Sequence, residues 1–400
     1  MKSSSLSRAM GGLLFLTGLF FLNFTSRVIF SPLLPLIEGE MGLDHAQSGS
    51  FFLFISAGYF FSILSSGFVS SKLNHKRTIV LSSLALGCAL FLLGRCSTLL
   101  SLQVGLFVLG LGAGLYFPSG LATIAYLVPP AYLARGMAIH ELAPNLGFVA
   151  APLLSDLFLD FIPWRNGLAF LGVVIIITGI LYGLSSYGSK EKGTAPDIAV
   201  AVTFFKMPVF WGMVALFSLG ICSTLGIYAM APLFLVNDHG MEPERANSIL
   251  AFSRIASIFM PLFGGWLADR FGKHLVMAFV LCITGLLTVL MGMAGDGIWL
   301  IALVVAQPIV AVCFFPAGFA ILSKLGSDEF GNVSITLCLP LAFLIGGGLM
   351  PTFIGLIGDI YSISSGIIFV GTLMALGGLI SLFAALIIRK KNDSLAKEFL

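Results

Sequence analysis

Long apolar runs recur along the chain, each ended by a short polar break. A helix rises about 1.5 Å per residue, so about 20 mostly apolar residues carry it across the hydrocarbon core of a bilayer. Twelve runs meet that need: 9–37, 46–69, 77–94, 99–128, 136–159, 166–187, 208–236, 246–268, 275–294, 298–323, 333–358 and 363–388. The pattern predicts an all-α membrane protein of twelve transmembrane helices, which we number spans 1 to 12. The longest polar break, 188–206, follows the sixth run and contains Ser189-Lys190-Glu191-Lys192. It divides the chain into an N-terminal six-helix half (1–187), a linker (188–206) and a C-terminal six-helix half (207–400).

Composition agrees with this pattern. Hydrophobic residues make up 58% of the 400 and charged residues 10%, against about 25% charged in soluble domains. The lipid bilayer is therefore the expected solvent and the chain's first partner. The 46 glycines suit close helix packing in membranes. Six cysteines (Cys88, Cys96, Cys222, Cys282, Cys313 and Cys338) lack metal-ligand spacing and read as small core residues. A net charge of +3 gives no footprint for nucleic acid. No phosphate-cradling glycine loop, nucleophile triad or metal cluster is evident, so nothing points to an enzyme, an ATP-driven pump or a bound cofactor. The first apolar run reads as a span, because Arg27 and Pro32 interrupt the place where a signal peptide would be cleaved.

Charge sets an orientation. Of the 21 Lys and Arg residues, Arg95, Arg165 and Arg245 fall on one side, Arg27 and Arg254 lie inside spans, and the other sixteen share the side of both termini. Cytoplasmic loops carry the excess of Lys and Arg, which places both termini in the cytoplasm of a multi-pass plasma membrane protein, with a bacterial inner membrane expected.

The halves also repeat. Tyr116-Phe117-Pro118-Ser119-Gly120 in span 4 is echoed 198 residues later by Phe314-Phe315-Pro316-Ala317-Gly318 in span 10. The same offset relates Gly42 to Gly240 and Gly67 to Gly265. After span 8 the chain reads Gly265-Trp266-Leu267-Ala268-Asp269-Arg270-Phe271-Gly272-Lys273-His274. This resembles the loop pattern G-x-x-x-D-R-x-G-[RK]-[RK] of the major facilitator superfamily, with His274 in the last place. The matching loop after span 2 departs from it, with Ser71 for the acid and Asn74 for the second glycine. The resemblance implies two pseudo-symmetric halves, a solute site between them near mid-membrane, and a monomer. It also implies that Asp269 approaches Arg135–Gly136, while Arg270 and Lys273 help close the cytoplasmic side. Phe24-Thr25-Ser26-Arg27-Val28, followed by Pro35-Leu36-Ile37-Glu38, is similar to the first span of the anion:cation symporter group of organic-anion carriers. Here Ser26 stands where that group usually has an acid, and span 4 lacks its charges.

Chemistry within the spans is sparse. An arginine in a membrane costs about 2.5–3.5 kcal/mol on insertion scales and usually faces a cavity or a partner. By helical rise, Arg27 and Arg254 lie at similar depths in opposite halves. Guanidinium groups bind carboxylate, sulfonate or phosphate oxygens in pairs and stay charged, so the two suit a small anionic solute. The competing role is bonding to backbone carbonyls or to a protein acid. Glu141, inside span 5, is the expected carrier of a co-transported proton (or another cation), with His140 modulating it; a gate salt bridge is the other role open to Glu141. Asn23, Arg27 and Ser31 form a polar stripe on span 1, and Thr224 and Tyr228 another on span 7. Tyr116 and Gln307 add polar groups from spans 4 and 10. These readings predict proton-coupled transport of a small organic anion by alternating access. Two alternatives are a proton-driven efflux carrier for amphipathic compounds, using a Phe-rich cavity, and a non-transporting receptor or scaffold.

Overall fold

The structure, a computed structural model, describes residues 6–194, 198–325 and 331–398, with side chains for 9–194, 201–325 and 333–387. Lys2 and linker residues 195–197 lie outside the described residues. Among the described residues all regular structure is helical. Spans 1 to 6 are Ala9–Met41, His45–Leu73, His75–Leu93, Leu99–Leu127, Pro130–Phe161 and Trp164–Leu184. Span 7 is Pro208–Asp238, and span 8 is the pair Pro243–Ser257 and Met260–Phe271, bent by 42°. Spans 9 to 12 are Lys273–Met293, Ile298–Leu322, Val333–Ile360 and Ile363–Ile387. The even number puts both termini at one end of the bundle, called here the terminal end. A short helix, Ile198–Phe205, occupies part of the linker.

Proline explains where the spans break. A proline lacks the N–H that would bond four residues back, and its ring crowds that carbonyl. Span 1 breaks at Ile29, three residues before Pro32. Span 4 breaks at Leu115 before Pro118, span 5 at Glu141 before Pro144, and span 10 at Val312–Cys313 before Pro316. The bend of span 8, at Ile258–Phe259, precedes Pro261. Pro152 and Pro340, by contrast, sit inside helices. Arg27 and Arg254 each lie within the last turn or two before a break. Span 7 has π-helical turns at Cys222–Gly226 and Phe234–Asp238, and span 11 at Phe343–Leu349.

The loop after span 2 keeps the geometry of its partner despite the changed residues. Gly272 has φ 97°, and Asn74, at the matching position, has φ 75°. Among non-glycine residues Asn tolerates positive φ best. Its side chain also accepts a bond from Arg77 N at 3.0 Å, capping span 3.

The two halves meet at the end opposite the termini and in the middle. Span 2 packs against span 11, span 5 against span 8, and span 1 against span 7. Asp359 accepts from His45 N at 2.7 Å and Ala46 N at 2.9 Å, at the start of span 2. A negative side chain is favourable there, where helix N–H groups are unpaired. Asn247 of span 8 donates to Asp156 of span 5 at 2.6 Å, and Asn237 donates to Glu38 at 3.0 Å. Glycine permits the closest approach: a Cβ at Gly355 would stand 2.2 Å from the His45 carbonyl oxygen, and one at Gly49 2.5 Å from that of Pro351. Toward the terminal end, the segments Tyr116–Leu127, Leu133–His140, Met260–Phe271 and Phe314–Leu322 pack within their own halves.

Candidate solute site

Both intramembrane arginines are buried, Arg27 with 7% and Arg254 with 5% of its surface exposed. Among the described residues neither has a carboxylate within ion-pair distance. Each Nε is buried without a hydrogen-bond partner. What holds the two charges is chiefly aromatic. The Arg27 guanidinium lies 4.4 Å from the Tyr59 ring centroid and 5.0 Å from that of Phe24. Arg254 lies 4.4 Å from Phe148 and 4.9 Å from Tyr228. Such stacking is worth about 0.5–2 kcal/mol per contact, a partial offset to removing arginine from water. Arg254 also donates from Nη2 to the Thr224 carbonyl at 2.7 Å, in a π-helical turn.

The two clamps exchange their parts between the halves. In the first half the arginine is on span 1 and the tyrosine on span 2. In the second half the tyrosine is on span 7 and the arginine on span 8. Each tyrosine is met by a phenylalanine of the other half: Tyr59 by Phe343 at 5.6 Å and Tyr228 by Phe148 at 4.7 Å. Phe148 also packs edge-on against Phe24 at 4.8 Å, so one ring joins the two clamps. Beside Arg27 is a cavity of about 20 Å³, lined by Phe24, Phe52, Ser56, Tyr59, Phe343 and Gly347 among others. That is room for a water or two.

The other polar positions divide. Asn23 donates to the Ala113 carbonyl at 3.1 Å, tying span 1 to span 4. Gln307 donates to the Ser223 carbonyl at 2.8 Å and to Thr288 Oγ1 at 3.3 Å. Ser31 donates across the halves to the Tyr228 carbonyl at 2.7 Å. The Thr224 hydroxyl turns to its own helix, at 3.3 Å from the Gly220 carbonyl. Tyr228 alone of these joins an arginine clamp through its side chain, and its hydroxyl donates to the Phe148 carbonyl at 3.1 Å. Sequence reasoning missed Tyr59, Phe24 and Phe148. Their signal was spacing: Phe24 is three residues before Arg27, and Tyr59 is the lone tyrosine of span 2.

A second polar group lies nearer the terminal end. His140 is fully buried and stacks on Phe20 at 4.4 Å, while Tyr116 Oη lies 3.1 Å from His140 Nε2. His140 Nδ1 is 3.6 Å from Glu141 Oε1, whose side chain is 53% exposed. At the terminal surface Asp269, Arg270 and Arg135 are exposed and Lys273 is partly so. Arg270 stacks on Trp266 and Arg135 on Tyr132. Among the described residues no ion pair joins Asp269 to Arg135. The approach expected from the loop pattern is thus not made as an ion pair here, where the segments carrying these residues pack within their own halves.

The family model for the Major Facilitator Superfamily matches residues 16–260 and 224–399. The chain belongs to the Major Facilitator Superfamily. Its fold is shared by a bacterial homolog to human lysosomal transporter, Spinster, in an inward-facing and occupied conformation, at a TM-score of 0.77 and 16% identity over 96% of both chains. Among curated relatives it is similar to a probable sulfoacetate transporter, SauU, of Cupriavidus necator, 26% identical over 275 residues. That match covers 64% of this chain and 64% of the relative, less than two thirds of its length. It is also similar to the 4-hydroxybenzoate transporter PcaK of Acinetobacter baylyi, 22% identical over 75% of this chain and 77% of that one.

Proposed function

We propose that this superfamily member is a secondary active transporter of a small organic anion, a carboxylate, sulfonate or phosphate ester, coupled to protons. The observation that carries this reading is the pair of buried arginines without acidic partners, one from each half. A desolvated guanidinium with free N–H groups gains most from an anion that restores its hydrogen bonds. An anion touching both would draw the halves together, which is the movement alternating access requires. Sulfoacetate and 4-hydroxybenzoate, the solutes in the names of the probable sulfoacetate transporter and the 4-hydroxybenzoate transporter above, are anions of the right chemistry and supply the first probes.

In this scheme the halves, 1–187 and 207–400, rock about the clamps, joined by the linker 188–206. With the terminal end in the cytoplasm, the reading that the sixteen-to-three charge asymmetry supports, the end where the halves meet is the outer face and the carrier opens inward. Asp359, Asp156 and Glu38 hold the outer contacts. When the chain faces outward, Asp269, Arg270, Lys273 and Arg135 hold the inner ones. Protons enter through Glu141 and His140. A bacterial inner membrane and a monomeric carrier complete the reading.

The test is uptake of labelled sulfoacetate and 4-hydroxybenzoate into proteoliposomes, with and without an inward proton gradient. Accumulation of either, stimulated by the gradient and lost in Arg27→Gln and Arg254→Gln, is the expected result. Transport that survives both substitutions would instead favour an amphipathic solute held by the aromatic walls.

A further inference from the structure

The Tyr116 hydroxyl has one proton. It is donated to the Leu16 carbonyl at 2.7 Å, and a carbonyl can only accept, so that proton is committed. At the 3.1 Å contact with His140 Nε2 the hydroxyl oxygen must then accept and the ring must donate. This fixes the neutral tautomer as Nε2–H and leaves the free lone pair on Nδ1. Nδ1 is buried without a hydrogen-bond partner, and the group in front of it is the Glu141 carboxylate, 3.6 Å away. In the neutral ring a lone pair faces an anion across that gap. A proton on Nδ1 turns the same contact into an ion pair.

Among the described residues, the other recorded ring and hydrogen-bond partners of His140 are Phe20 and Tyr116. From span 1 the ring meets Phe20, stacked at 4.4 Å. From span 4 it meets Tyr116, whose ring is parallel at 5.9 Å. The nearest intramembrane cation on span 1 is Arg27, seven residues beyond Phe20. The one group recorded in front of Nδ1 that could pair with an imidazolium is therefore the Glu141 carboxylate.

We infer that His140 Nδ1 is the atom that takes up the coupling proton, with Glu141 as its counter-ion and its route to solvent. This deepens the proton-coupled reading above and rests on it. It reverses the roles expected from sequence, where Glu141 carries the proton and His140 modulates it. Placement in the helix connects the proton to the solute site. His140 is the last residue of one helix of span 5, and Leu142 the first of the next, because Pro144 removes the bond to the His140 carbonyl. Four residues past Pro144, Phe148 stacks on Arg254 and packs on Phe24. Spans 1 and 5 thus share two rungs, His140 on Phe20 and Phe148 on Phe24, with the proline break between them. Protonation tightens the first rung, and the change in span 5 reaches Arg254 through the second.

Two measurements on the full-length protein test this. Ring nitrogen NMR of ¹⁵N-histidine protein, with the signal assigned by His140→Gln, should show neutral His140 as Nε2–H and protonation at Nδ1 on acidification. Tyr116→Phe should release the tautomer to a mixture. A neutral Nδ1–H ring, or an Nδ1 that stays bare at every pH where the protein is folded, overturns the inference. In proteoliposomes with sulfoacetate as probe, His140→Gln should lose proton-gradient-driven accumulation at least roughly tenfold, as expected for loss of an intramembrane proton relay. Solute exchange without a gradient should fall less than gradient-driven accumulation does, and an equal fall in both overturns the coupling role. Accumulation that persists in His140→Gln, with Glu141 intact, assigns the proton to Glu141 and overturns the inference alone. No gradient-driven accumulation by the unsubstituted chain overturns the transport reading and with it the coupling role.

Discussion

Arg27 and Arg254 hold the same kind of charge by different means. Arg254 is tied to a backbone carbonyl of its own half at 2.7 Å and covered by Phe148 of the other half. Arg27 is stacked only on rings of its own half and stands beside the cavity. Arg254 is therefore placed to sense whether the halves are closed. Under the proposed anion-transport reading, Arg27 is placed to receive the solute first. Exchange of parts between the halves produces this difference: the ring that closes one clamp from across the interface stacks on the tyrosine in one case and on the arginine as well in the other.

The largest effect that would break the comparison is on affinity. Arg27→Gln removes charged hydrogen bonds worth about 2 kcal/mol, or roughly 30-fold in sulfoacetate affinity. It should leave the outer contacts as they are. Arg254→Gln should weaken binding and also loosen those contacts, read as faster labelling of an Asn237→Cys reporter by a membrane-impermeant maleimide. Equal labelling in the two variants would erase the distinction. Next comes Gly355→Ala, whose new Cβ would meet the His45 carbonyl at 2.2 Å. Overpacking of this kind costs about 1–3 kcal/mol, so reporter labelling should rise roughly tenfold with the arginines intact.

Phe148→Leu should be milder. Loss of a stacking contact of about 1 kcal/mol should raise labelling roughly fivefold and lower affinity less. Tyr59→Leu should do the reverse, lowering affinity with labelling unchanged. The smallest effect concerns the loops, where Asn74 does what Gly272 does. Asn74→Gly should be nearly neutral in thermal unfolding, whereas Asn74→Ala, strained at φ 75°, should cost about 1 kcal/mol.

What could be read from sequence follows from how strongly each feature violates its surroundings. Twelve apolar runs and a one-sided excess of Lys and Arg stand out against any background, and so do two arginines inside those runs. Tyr59 and Phe148 do not, because the chain has 37 Phe and 8 Tyr and only depth distinguishes a ring that meets a cation from one that meets lipid. Asn23 and Gln307 are legible as polar groups in apolar runs, but their partners are not. A buried amide takes whichever carbonyl a neighbouring helix offers, and in this conformation those are Ala113 and Ser223. The breaks at Ile29 and Ile258–Phe259 follow from Pro32 and Pro261 by the same rule as the others. Their importance came only from what stands just before them, the two arginines.

The central claim, that Arg27 and Arg254 together form an anion site, is tested most directly by ligand-induced thermal stabilisation of the purified protein. Sulfoacetate and 4-hydroxybenzoate, with neutral amide analogues as controls, would be titrated against the unsubstituted chain, Arg27→Gln and Arg254→Gln. Binding to the folded state alone raises stability with concentration, by about 2.7 kcal/mol at a hundred times Kd. Tm should rise for at least one of the anions and for none of the amides, and that rise should be lost in both variants. An undiminished rise in either variant, or stabilisation by the amides equal to that by the anions, would contradict the claim.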